Sequence, residues 1–121
     1  MQENKLVDMS LDFSVKVIKF CECVRGHISL RNQLERAATS IGANIHEANY
    51  AQSKADFVSK LQIALKECYE TEYWLKLLDK SKLAEKEQIR ALAVQCGTIR
   101  KILIASVQTA KRNSNSAKRS P

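Results

Sequence analysis

Leu6, Met9, Phe13, Val17, Phe20 and Val24 stand three or four positions apart, the spacing that puts side chains on one face of an α-helix. Three more series of this kind follow. They are Leu30, Leu34, Ala37, Ile41, Asn44 and Ala48, widened by Ala38 and Ile45; Phe57, Leu61, Ala64, Cys68, Thr71, Leu75 and Leu78; and Ile89, Leu92, Cys96, Ile99, Leu103, Ser106 and Ala110. The chain has only 3 Gly and 1 Pro, and the Pro is its last residue, so little interrupts a helix. Heptad spacing throughout favours side-by-side packing at a shallow crossing angle over the steeper crossings of globin-like folds. Short connections then make neighbouring helices antiparallel. The predicted fold class is all-α, an antiparallel up-and-down four-helix bundle.

The punctuation supports four helices. Helix one spans about residues 4 to 25 and stops at Arg25-Gly26. Helix two follows Ser29 as N-cap. Ser53 with Asp56 resembles a capping box before helix three, Asp replacing the usual Glu. Helix four begins near Ala84 and runs to about Arg112. One domain, residues 1–112, uses nearly all of the 121 residues, and the polar segment 113–121 reads as a disordered basic tail.

Composition narrows the partners. The net charge is +7, and Lys111, Arg112, Lys118 and Arg119 carry four of those charges in an acid-free tail, leaving +3 on residues 1–110. A balance of this kind favours phosphate-rich or acidic partners. No apolar run approaches the roughly 20 residues of a membrane span, and the N-terminus lacks the apolar core of a secretory signal, so a cytoplasmic location is expected. Of Cys21, Cys23, Cys68 and Cys96, three lie on or beside apolar stripes and none forms a CxxC pair; buried free thiols are expected, without metal or cofactor.

Two sets of residues stand apart from a simple core. Ile63, Trp74 and Leu77 lie about 100° or more from the middle of the helix-three stripe, with Glu67 and Glu70 between them, and form a candidate oligomer interface. Leu11, Val15 and Ile102 are further apolar residues of this kind. Asn44 occupies a heptad core position flanked by Ser40 and Glu47, where Asn44 and Glu47 are expected to hydrogen-bond to a neighbouring helix and set its register. A di-metal bundle needs Glu-x-x-His pairs, which are absent from the sequence. No Ser or Cys is tied to His27 or His46 by spacing, and no Gly-rich phosphate loop occurs, so no catalytic residue is assigned.

The run Gln33 to Ala48, with its Ser40-Ile41-Gly42-Ala43-Asn44-Ile45-His46-Glu47 core, then Ser53 to Phe57, Lys60 to Glu67 and Glu70 to Leu75, resembles the bacterial four-helix-bundle family first described as proteins encoded in intervening sequences of large-subunit ribosomal RNA genes. That family is similar to the accessory variability determinant of diversity-generating retroelements. The resemblance spans roughly residues 5 to 112, although many members carry Pro where Gly42 stands and Gly where Ala48 stands. It implies an antiparallel bundle, a homopentamer and no catalysis, with Ser40, Asn44 and Glu47 as the signature. Its retroelement members resemble a basic barrel that binds nucleic acid and a reverse transcriptase.

Two functions compete. In the first, a non-catalytic oligomer binds RNA or DNA, with Arg100, Lys101, Lys111, Arg112, Lys118 and Arg119 contacting phosphates. In the second, exposed helical faces make the protein an interaction scaffold or accessory subunit, for example one that docks a reverse transcriptase.

Overall fold

A computed structural model describes the backbone of residues 2–119 and the side chains of residues 5–113. Four helices follow one another: α1 (Gln2–Cys21), α2 (Ile28–Ala48), α3 (Lys54–Lys80) and α4 (Lys86–Arg119). Each packs on its neighbours in sequence and α1 closes on α4, while the backbones of the diagonal pairs stay apart among the described residues. That is a square bundle. The α1–α2 and α3–α4 turns meet at one end, where the Arg25 N–H donates to the Leu83 carbonyl at 3.2 Å. Leu6, Ala48, Phe57 and Ala110 meet at the other, so the helices alternate in direction.

The four predicted stripes form the core. Phe13, Leu34, Ile41, Ile45, Leu75, Leu78, Ile99 and Leu103 are all fully buried. Burial of this kind stabilises by about 1.5–3 kcal/mol per large apolar side chain. The polar intruders are satisfied within their own helices: the buried Thr71 hydroxyl donates to Glu67 O at 2.7 Å and that of Ser10 to Val7 O at 3.0 Å. Each α3 and α4 stripe opens at the bundle end, where Phe57, Ser106 and Ala110 are half-buried.

The helix ends depart from the sequence expectation in four places. Helix α1 stops at Cys21 rather than near Arg25, because residues 22–24 tighten into bonds to carbonyls three residues back, although Val24 remains buried. Ser29 is not the N-cap of α2. Gly26 (φ 60°) and His27 (φ 47°) are both left-handed, so the chain turns early and His27 takes the cap position with no side-chain bond. The α3 cap forms at Ser53, whose side chain accepts from Asp56 N–H at 3.1 Å, but Asp56 reaches back to Gln52 N–H at 3.3 Å instead of to Ser53. Finally, α4 starts at Lys86 and its backbone continues through Arg119, so the expected boundary at 112/113 falls inside a helix. Asn113 to Arg119 holds no Gly or Pro to end it.

Helix α3 ends without glycine. Lys82 takes the left-handed conformation (φ 56°), Leu83 N–H donates to Leu78 O, and Lys82 N–H donates to Asp79 O, both at 3.1 Å. This is the Schellman pattern with Lys in the usual Gly position.

Candidate nucleic-acid interface

The cations of α4 divide by what surrounds them. Arg100 looks inward along the surface: its Nε donates to Glu72 Oε1 of α3 at 3.0 Å, and its guanidinium lies over the Tyr69 ring, 5.8 Å from the centroid. The charge of Glu72 raises the Arg100 pKa above its ordinary value. This arginine therefore ties α4 to α3 and is not a free phosphate contact. Lys101, Lys111 and Arg112 are exposed and have no acidic partner within ion-pair distance among the described residues. Spacings of ten and eleven residues put them on one outward side of α4 at roughly 100° per residue. Lys118 and Arg119 repeat Lys111 and Arg112 one heptad later in sequence; their side chains lie outside the described residues.

On α3 three carboxylates, Glu67, Glu70 and Glu72, are held by arginines of the bundle. Arg36 of α2 pairs with Glu67 at 3.2 Å and with Glu70, and Glu70 also accepts from Trp74 Nε1 at 3.1 Å. Desolvation works against the Arg36 charge, yet Glu67 and Glu70 more than offset it and its pKa is raised. Glu67, Glu70 and Glu72 thus meet arginines from both flanking helices, and the outer side of α3 between them carries Lys66, Tyr69, Tyr73, Lys76 and Lys80, all exposed. Sequence reading passed over these five. Their 3-4-3-4 spacing is the signal that marks them, whereas the apolar residues outside the core stripe point to Trp74 and not to the tyrosines.

The three candidate interface residues differ in burial. Ile63 is exposed, Leu77 is half-buried, and Trp74 is half-buried against the core. A side chain about 100° from the core centre can still reach the edge of the core, and Trp74 does so. The more exposed apolar side chains include Leu11, Val15 and Ile18 on α1, at 63%, 44% and 42%.

The signature residues sit on the α2–α3 side. Glu47 pairs with Lys60 of α3 at 3.2 Å, as a register-setting contact would. Asn44 does not cross to another helix: its amide donates to Ser40 O at 2.8 Å, one turn back on α2. Its half-buried position lets the side chain satisfy itself locally.

An end cavity of about 220 Å³ has Leu6, Ile45, Phe57 and Leu61 in its walls with Lys54 and Asn49 at the edge. Among the described residues no group of three or more His, Cys, Asp or Glu is arranged to hold a metal ion. Among the described residues no helix is long and apolar enough to cross a membrane.

A family model described as 23S rRNA-intervening sequence protein matches residues 2–105. The chain is also similar to a crystal structure of a protein with unknown function from the S23 ribosomal protein family of Bacteroides thetaiotaomicron. The two are 40% identical, with 89% of this chain and 99% of that chain covered and a TM-score of 0.84. No curated protein matches.

Proposed function

Because the chain belongs to the 23S rRNA-intervening sequence protein family, we propose that it is a non-catalytic bundle that binds nucleic acid, RNA or DNA, through the outward side of α4. The observation that carries this reading is the set Lys101, Lys111 and Arg112, exposed and without acidic partners among the described residues, in a chain of net charge +7. Cations held by internal carboxylates contribute little to phosphate binding; free ones release counterions and add affinity. Lys118 and Arg119 extend the same charge, and oligomerisation would multiply weak contacts through avidity. A cytoplasmic location belongs to the same reading.

The test is a mobility shift with RNA across a salt series, on the full chain and on a chain ending at residue 110. Full-length protein should bind with little sequence preference and weaken steeply with salt. The truncation should flatten the log–log slope by about 0.7 for each single-strand phosphate that the removed cations neutralise in the full chain. Absence of a complex at low salt overturns the proposal.

A second reading is favoured by the α1 ridge of Leu11, Val15 and Ile18. Exposed apolar residues aligned on one helix suit a protein partner. In that case the bundle is an interaction scaffold, assembled as the homopentamer that the family resemblance implies or docked on a reverse transcriptase as an accessory subunit.

A further inference from the structure

We propose that the outer face of α3 is a stacking platform for single-stranded nucleic acid, in which Tyr69 and Tyr73 receive unpaired bases while Lys66, Lys76 and Lys80 hold the phosphates. This deepens the nucleic-acid reading above and rests on it, but places the contact on a different helix.

Charge is the first argument. Lys66, Tyr69, Tyr73, Lys76 and Lys80 follow one another at 3-4-3-4 spacing, and all five are exposed. The stripe contains no acid, and its lysines have no acidic partner within ion-pair distance among the described residues. The nearby carboxylates point to the flanks, where Arg36 binds Glu67 and Glu70 and Arg100 binds Glu72. Asp79 and Glu72 line the groove toward α4 together with Lys76, Lys86 and Arg90. A polyanion approaching this face meets positive charge along about 21 Å of helix, at roughly 1.5 Å per residue, long enough for a few extended nucleotides.

The aromatic rings are the second argument. Tyr69 and Tyr73 are 54% and 57% exposed, whereas Phe13 and Phe20 of the same bundle are buried. Both tyrosines have a neighbour against the ring. The Arg100 guanidinium lies over Tyr69, and Trp74 meets Tyr73 edge-on with centroids 5.1 Å apart, its own ring held by the bond to Glu70. A base that stacks on a ring already held in place forfeits less conformational freedom. Aromatic rings interleaved with cations are the recurring device of single-strand binders, tolerant of sequence because every base has a π-face.

Strandedness separates this arrangement from a purely ionic one. A duplex hides its base faces and has the higher charge density, so phosphate contacts alone favour duplex. Stacking tyrosines reverse that preference.

The experiment measures fluorescence anisotropy of the full chain with a labelled single-stranded RNA oligonucleotide and with the same sequence as duplex. Single-stranded DNA serves as a further probe, expected to bind as well. The wild type should prefer the single strand. Tyr69→Ala with Tyr73→Ala should lower single-strand affinity at least about tenfold and leave duplex affinity within about twofold, whereas Tyr69→Phe with Tyr73→Phe retains binding. Lys66→Glu with Lys80→Glu should lower affinity for both probes. Trp74, the only Trp in the chain, should change its emission when the single strand binds, through its contact with Tyr73. Wild-type single-strand affinity in the alanine variant overturns the platform while leaving the ionic reading of α4 intact. A lowered native mass in that variant, with RNA binding kept, shows the face to be a site for a second copy and also overturns it. No binding by the wild type to any probe overturns both readings.

Discussion

At the scale of single residues, environment separates side chains that the sequence treats alike. Asn44 and Ile41 both occupy heptad core positions, yet Ile41 is fully buried while Asn44 is half-buried and bonded to its own helix. Ile41→Ala should therefore cost about 2–5 kcal/mol, and Asn44→Ala no more than about 1 kcal/mol, as read from urea unfolding; a larger loss at Asn44 would show that it contacts more than Ser40. The cysteines divide similarly. Cys21, Cys68 and Cys96 are buried and Cys23 is exposed. Burial pushes the Cys21 thiol up to about 11. The hydrogen bond with Cys96, together with burial, raises Cys68 further. Since the thiolate is the nucleophile, native protein at pH 8 should take up one iodoacetamide quickly, at Cys23, and four only after denaturation; the mass of the labelled protein counts them. Burial of three thiols was legible from their place on the stripes, whereas the local bond of Asn44 was not, because one hydrogen-bonding side chain can reach several partners.

Among elements, the turns and close approaches decide what periodicity cannot. Gly42 sits in the α2 face against α1, and a Cβ there would lie 3.4 Å from Ser10 Oγ, with Ser14 Oγ at 3.5 Å. These are ordinary contacts. Gly42→Ala should thus be neutral or stabilise by up to about 1 kcal/mol through helix propensity, while Gly42→Leu should destabilise by about 1–3 kcal/mol by forcing the helices apart. Thermal denaturation of both variants checks the pair of signs. The four stripes were readable because each runs through several turns and errors at one position do not shift the face. The helix ends were less so, since the left-handed Gly26 and His27, and Lys82 in a position usually given to Gly, depend on how the connected helices dock.

For the whole molecule, the outer surfaces differ in the kind of partner that each suits. The adjoining helices α3 and α4 carry the exposed cations Lys66, Lys76, Lys80, Lys101, Lys111 and Arg112, and α1 carries an apolar ridge. If the ridge mediates self-association, Leu11→Glu with Ile18→Glu should reduce the native mass to that of the 13.7 kDa chain without lowering the melting temperature of the monomer. An unchanged mass in an assembled protein would place the subunit contact elsewhere, and a monomeric wild type would remove the self-association reading altogether. Because ridge and cationic faces occupy different sides, the effects of these substitutions and of the α3 and α4 variants should add independently.

The sequence by itself determined the number of helices, their core faces and their antiparallel order, because heptad spacing and scarce breakers leave an amphipathic helix one way to bury its apolar side. It also marked the basic positions of α4. Only the tertiary structure decided which charges are free. Arg100 is paired with Glu72 while Lys101 beside it is not; Trp74 is covered while Tyr69 and Tyr73 are exposed. Pairing and exposure depend on what the neighbouring helix places opposite each side chain, and that register is set by packing between segments far apart in the chain.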